Sequence, residues 1–344
     1  MIMTYNRNVY RRINEKRVIV VLCSIIVTLF VMIIDLSTGS SNMPIADMVQ
    51  SLLAGPRGEG IYSVVVWNIR LPMTLTCVFV GASLGMSGLQ LQTITNNPLA
   101  SPYTFGITAS ASFGAAISIT TGFTIARQLW LGTSLLALFF ALLVSMCIYF
   151  MGKFRGMSTT TLVLTGIIMN FFFSALQQFL QYRASPEIAQ IISSWTFGNL
   201  ARSTWTSVFV SMFLMIFSFF ILMRWSWNLT AMSTGEEKAV SLGINIEKLR
   251  FNVFVLSAIL ISGAVAFIGT VAFVGLIAPH CARLLSGDDQ RYLLPLSMLF
   301  GAMLMLFSSI ISKFLTVGAM LPVGIITSVV GVPFLFILLM KKRD

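Results

Sequence analysis

The side chains able to do acid–base or metal chemistry are few, and their placement argues against it. The eleven acids are Glu15, Asp35, Asp47, Glu59, Glu187, Glu236, Glu237, Glu247, Asp288, Asp289 and Asp344, and none falls in the middle of a long apolar run. A proton- or sodium-coupled carrier ordinarily needs an ionisable group at membrane depth. The one histidine, His280 in "APHCARL", has Arg283 one turn on and no carboxylate or cysteine at ligand spacing. It reads as a helix-end or partner contact. Cys23, Cys77, Cys147 and Cys281 lie in or beside apolar runs and read as small hydrophobes, without disulfide or metal spacing. There is no Gly-x-x-x-x-Gly-Lys-Ser/Thr loop to cradle phosphates. The expectation is a chain that is not an enzyme and holds no metal or cofactor; any nucleotide hydrolysis belongs to another subunit.

One stretch gathers charge, "AMSTGEEKAVSLGINIEKLR" at 231–250. Thr234 with Glu237 fits a capping box, and Ser233 with Glu236 is its frame-shifted rival. A helix over about 235–242 should follow, ended by Gly243. Asn245 can cap a second start that leads through Lys248 and Arg250 into the next apolar run. Ala239 and Leu242 share one helical face, leaving Glu236, Glu237, Lys238 and Ser241 for water or a partner. So short a helix is not stable alone and needs a surface to pack on.

The elements that position these residues follow from composition. The 344 residues are 57% hydrophobic and 10% charged, against about 25% charged in an ordinary soluble domain. Apolar runs of bilayer length recur, whereas a membrane β-barrel would show ten-residue alternation. The expected fold is all-α and polytopic, with ten spans at about 18–36, 62–91, 99–120, 129–151, 159–182, 203–223, 249–268, 270–285, 292–312 and 322–340. With both termini in the cytoplasm, sixteen of the 22 lysines and arginines fall on the inside, as the positive-inside rule requires. That sidedness accounts for the net charge of +11 without nucleic acid. Residues 1–17 read as a basic cytoplasmic segment before a first span, with no convincing signal-peptide cleavage site after it.

An internal echo is present. "GASLGMSGLQLQTITNNPLA" (81–100) and "GAVAFIGTVAFVGLIAPHCA" (263–282) both open Gly-Ala and reach Pro-x-x-Ala. The first runs outside-to-inside and the second starts inside. That is the pattern of an inverted repeat with halves 62–182 and 249–340 inside a single transmembrane domain. Small residues that let helices pack closely give a similar echo.

Five motifs in order carry a resemblance. They are "RLP" at Arg70–Pro72 with "GASLGMSGLQLQTITNNPLASPYTFGI" (81–107), "STGEEKAVSLGI" (233–244), "AFVGLIAPHCARLLSGDDQRYLLP" (272–295) and "LPVGIITSVVGVPFLFILL" (321–339). Together they resemble the FecCD family of binding-protein-dependent ABC permeases, which import ferric siderophores, haem and cobalamin and include the vitamin B12 permease. The resemblance implies a bacterial plasma-membrane subunit of ten helices. It pairs with a second permease, identical or paralogous, with two ATPases that bind ATP and Mg, and with an outer substrate-binding protein. A ferric siderophore is the expected cargo. The resemblance makes 231–248 the coupling segment, with Ser233, Thr234, Gly235, Glu236, Glu237, Ala239, Leu242 and Gly243 meeting the ATPase. Arg70, and with it Lys313 and Arg57, are the expected docking cations for the binding protein. Met73 replaces a frequent second arginine, and Met320 a frequent glutamate.

For the path, Asn170, Gln177 and Gln181 lie along one face of the fifth span, facing a cavity or a partner helix. Asn96, Asn97 and Pro98 form a turn that breaks the helix and could gate. A haem or cobalamin permease, an ion-coupled carrier working alone, and a receptor-like subunit without a path are the competing readings.

Overall fold

The computed structural model describes residues 2–39, 43–315 and 320–340. Its helices are, in order, α1 (Ile2–Ser37), α2 (Ile45–Ala54), α3 (Ile61–Val65), α4 (Leu71–Thr95), α5 (Ile107–Thr121), α6 (Leu129–Arg155), α7 (Thr159–Arg183), α8 (Pro186–Thr196), α9 (Trp205–Arg224), α10 (Ser226–Ser233), α11 (Glu236–Ser241), α12 (Ile246–Ile268), α13 (Val274–Ser286), α14 (Gln290–Leu315) and α15 (Val323–Met340). A π-turn over Val66–Arg70 joins α3 to α4. No strand occurs among the described residues, where a single bridge pairs Ile125 with Gln128.

Seven helical segments are long and apolar enough to cross a bilayer: Arg12–Ser37, Ile61–Thr95, α6, α7, α9, α12 and α14. The shorter apolar helices α5, α13 and α15 stand where the three remaining spans were expected. The protein is thus an all-α, multi-pass membrane protein. Two expected boundaries move. The third span does not begin at 99: Pro98 and Pro102 lack the N–H that continues a helix, and α5 starts only at Ile107. The eighth does not begin at 270, because Gly269 (φ 81) and Phe273 (φ 67) are left-handed and α13 starts at Val274.

Both short helices start at mid-depth. A Cβ on Gly106 would meet the backbone of Asn170, halfway along α7, at 2.5 Å. Gly275, in the first turn of α13, lies against the Leu84 carbonyl in the middle of α4 and against Pro102. From there α13 runs to the first end of the bundle, where it stops just before Asp289, and α5 runs to the second, where Ile119 comes beside α8. The first end carries Arg17, the C-terminus of α4, α10, α11 and Asp289. The second end carries Asp35, Arg70, α8 and Lys313. Lys341, Lys342 and Arg343, three of the expected inside cations, lie outside the described residues.

Buried α4 is the central post. Small residues let α13 and α14 approach its backbone: a Cβ on Gly88 would sit 1.8 Å from the Gly275 carbonyl, and one on Gly81 2.4 Å from that of Gly301. At the second end, Lys313 Nζ donates to Asp35 Oδ1 at 2.7 Å, and Thr74 donates to Oδ2 at 2.5 Å. This ties α1, α4 and α14 together. At the first end, Asp289 accepts from Arg291 at 2.7 Å and from Arg17 at 3.3 Å. The Arg291 guanidinium also lies 4.5 Å over the Trp227 ring of α10. Burial alone would raise the Asp289 carboxyl, but the Arg291 hydrogen bonds and the charges of Arg291 and Arg17 outweigh it and hold the group below the usual range.

Candidate functional site

The charged stretch holds the end of α10, which begins at Ser226, then all of α11 and the start of α12; the resemblance implies a pair of coupling helices there. Ser233 and Thr234 do not build the capping box. Their hydroxyls donate backward, to Thr230 O at 2.7 Å and Ala231 O at 2.8 Å. There they satisfy the last carbonyls of α10, a helix that has no apolar periodicity to announce it. Gly235 (φ 122) is the N-cap of α11, with no side-chain cap. Gly243 (φ 80) turns the chain out, and Asn245 caps α12 as expected by accepting from Lys248 N at 2.9 Å. Ala239 is fully buried, whereas Leu242, expected on the same helical face, is 70% exposed, because α11 ends at Ser241 and Leu242 lies past it as the C-cap. Leu242 therefore presents an apolar side chain outward beside exposed Val240, Glu237 and Lys238.

Glu236 is not simply a solvent or partner residue. It pairs with Arg250, whose side chain is 3% exposed. Arg250 Nε also donates to Ile94 O at 3.0 Å, in the last turn of α4. One guanidinium thus joins α11, α12 and the carbonyl end of α4, where a cation is favoured by the helix dipole. The sequence reading placed Arg250 only as a step on the way into the next span.

The Asn96–Pro98 turn sits next to this joint. Asn96 adopts the left-handed conformation (φ 46) and ends α4. Asn97 N donates to Gln92 O at 3.1 Å, while its Oδ1 accepts from Leu99 N at 2.9 Å. Thr159, at the start of α7, donates to Thr95 O at 2.8 Å. The turn is held to both α4 and α7, so a displacement of either helix moves it.

Between α5, α7 and α15 lies a cavity of about 380 Å³. Thr108 and Ser112 contribute from α5, Asn170 and Gln177 from α7, Thr270 from the break before α13, and Ser328 from α15. None of its lining residues carries a charge. Asn170 and Gln177 therefore sit on it, as their helical face required. Gln181 does not line it: its amide goes to Ser193 of α8. Gln177 Nε2 likewise donates to Thr196 Oγ1 at 2.6 Å, so this face of α7 both lines a cavity and holds α8. The remaining α7 and α15 surfaces, with Phe171, Phe179, Val332 and Phe336, are exposed and apolar.

The basic residues of the second end divide. Arg70 is 4% exposed and donates to Leu36 O at 2.9 Å and Ser37 O at 3.0 Å. The Lys313 side chain is 4% exposed and paired to Asp35. Both are held inside the fold, because a cation placed among helix-end carbonyls and a buried carboxylate is solvated there better than by lipid. Of the three expected docking cations, only Arg57 is exposed. His280 lies edge-on to Phe334 of α15, with ring centroids 6.2 Å apart.

A family model described as the FecCD transport family matches residues 26–341. A molybdate import system permease protein of Haemophilus influenzae is 33% identical over 321 residues, covering 90% of this chain and 92% of that one. A hemin transport system permease protein of Yersinia pestis is 30% identical over 319 residues, covering 92% and 95%. Among solved structures, an ABC transporter assigned to the metal-chelate type and captured in an inward-facing conformation superposes with a TM-score of 0.81. It is 31% identical, with 94% of this chain and 99% of that one covered.

Proposed function

The chain belongs to the FecCD transport family, and from that premise we propose that it imports a ferric siderophore by alternating access. It is a permease subunit of an ABC importer and not an enzyme; ATP hydrolysis is done by a separate subunit. In the proposed cycle two ATPases, holding ATP and Mg, close against α11 and its exposed Glu237, Lys238 and Leu242. Ser233, Thr234 and Gly243 set the geometry of that contact. The push passes through Glu236 and Arg250 to α4 and α12, and the Asn96–Pro98 turn moves with α4. A second permease subunit, copy or paralogue, covers the exposed faces of α7 and α15. The first end faces the cytoplasm, in keeping with its load of Arg17, Lys153, Arg224, Lys238, Lys248 and Arg291. The substrate-binding protein docks on the second end, where Arg57 is exposed.

The observation that carries the cargo reading is the charge-free cavity lined by hydroxyls and amides. Such a wall offers many weak hydrogen bonds and no fixed counter-ion. It suits a large chelate that must slide through without being trapped. The similarity to a hemin permease and to a metal-chelate type transporter supports a metal chelate, and the molybdate relative marks the alternative of a small oxyanion. The test is uptake of iron-55 siderophore into cells carrying this chain with its partner subunits. Vanadate should abolish uptake, and an uncoupler at constant ATP should not. Uptake of molybdate but of no ferric chelate would remove the siderophore assignment.

A further inference from the structure

We infer that the first turn of α5 and Ser112 form a subsite for one oxyanion, a carboxylate-type group presented by the transported molecule. The inference rests on the importer reading and adds to it the chemistry of a single contact. Three features converge on the cavity. The first is a helix start at mid-depth. α5 is 15 residues long and begins after left-handed Gly106, with no side-chain cap on its first N–H groups. Thr108 N reaches only as far as Pro102 O, at 3.4 Å. Unsatisfied N–H groups at a helix start carry about half a positive charge and favour an anion.

The second is an orphaned hydroxyl. Ser112, one turn along α5 from Thr108, lines the cavity, is 2% exposed, and its Oγ has no hydrogen-bond partner among the described residues. Its neighbour Ser110 instead returns its hydroxyl to Ile107 O at 2.9 Å. A buried donor left without an acceptor is costly and calls for a ligand or a role. The third is the opposite wall, where Asn170 and Ser174 bring neutral polar groups and no carboxylate that would repel an anion.

The other half-helix of the fold makes the contrast. α13 also begins at mid-depth, but Phe273 stands at its N-cap, and the small space there is lined mainly by Val274, Ile277, Leu304 and Val330. The same backbone device is open to a polar cavity in one case and sealed by an aromatic ring in the other.

The test reads local potential and needs no knowledge of the cargo. Cys23, Cys147 and Cys281 are first replaced by serine. Ser112→Cys and, on the far wall, Val329→Cys are then introduced separately into the full transporter in nanodiscs. Each thiol is titrated with an anionic (sulfonatoethyl) and a cationic (trimethylammonioethyl) methanethiosulfonate. The anionic-to-cationic rate ratio at position 112 should exceed that at 329 by roughly three- to thirty-fold, the range a helix terminus produces, and citrate should slow labelling at 112. Equal ratios, or labelling at 329 with none at 112, would overturn the subsite. Thr108→Cys takes the place of Ser112→Cys if the latter does not assemble. A raised ratio in a transporter that takes up no ferric chelate would support the subsite while removing the siderophore reading.

Discussion

Removing the Glu236 carboxylate tests whether α11 is joined to the spans through Arg250. In Glu236→Ala the buried guanidinium keeps its bond to Ile94 O but loses its counter-ion. A hydrogen bond to a charged group contributes about 1.5–3 kcal/mol. The Glu236 side chain is 49% exposed, so water recovers part of that, and about 1–2 kcal/mol is expected. Arg250→Ala should cost more, because it also strips a cation from the C-terminal turn of α4. A double-mutant cycle, read by thermal unfolding in nanodiscs, should give a coupling of about 1–2 kcal/mol. The charge swap Glu236→Arg with Arg250→Glu should not restore it, since a carboxylate would then face the Ile94 carbonyl. In the assembled transporter, Glu236→Ala should keep basal ATPase activity and lose most of the stimulation by loaded binding protein. Glu237→Ala, at an exposed neighbour, should leave stability unchanged and weaken ATPase association. A coupling below about 0.3 kcal/mol, or identical behaviour of the two alanine variants, would refute the joint.

Lys313→Met takes from buried Asp35 its salt-bridge partner, leaving the Thr74 hydroxyl and the nearby charge of Arg70, and should destabilise by up to about 3–5 kcal/mol. Asp35→Asn with Lys313→Met should recover much of this loss, and a scanning unfolding curve decides. Gly88→Val drives side-chain carbon into the Gly275 carbonyl and should abolish stable membrane insertion, read by detergent-resistant yield, while Ala116→Gly should not. The lowered Asp289 carboxyl contributes stability that is present above its unfolded-state pKa and lost as pH falls through its lower folded value. Asp289→Asn should therefore narrow the stability difference between neutral and strongly acid pH, followed by unfolding at graded pH. Thiols introduced at 57 and 238 should be labelled from opposite faces of right-side-out vesicles; labelling from one face would overturn the assigned orientation.

The fold was legible wherever length and hydropathy suffice. Seven of the ten expected spans are helices of bilayer length, because a run of twenty apolar residues has few alternatives in lipid. The two misjudged starts share a cause. Residues 99–106 and 269–273 carry no charge to mark a break in the apolar runs, and their irregular backbone is decided by prolines and left-handed residues whose satisfaction comes from other helices. The site was legible in part for the same reason. Asn170 and Gln177 were found by periodicity, which reports a face. What that face meets is a tertiary fact, so the attachment of Gln181 to α8 was invisible. Arg70, Lys313 and Glu236 show the limit most clearly. A charge near a helix end in sequence looks alike whether it is bound for water, for a partner or for a buried counter-ion, and only the position of Asp35, Leu36 and Arg250 in space distinguishes them.

In the proposed cycle the two buried arginines would suit α4 to carry a displacement. Arg250 holds its C-terminal turn through Ile94 O, and Arg70, just before its start, holds the end of α1 through Leu36 O and Ser37 O. Between them, glycines lock it against the backbones of α13 and α14. A post clamped at both ends and packed backbone to backbone has little room to bend, so a displacement of α11 at the first end is passed along it instead of being absorbed. The helical ladder is interrupted instead at the two half-helix breaks, 96–106 and 269–273. They meet where Pro102 lies against Gly275, beside the polar cavity. In the proposed cycle a rod that moves without bending past such a break, at mid-depth, would change that opening most.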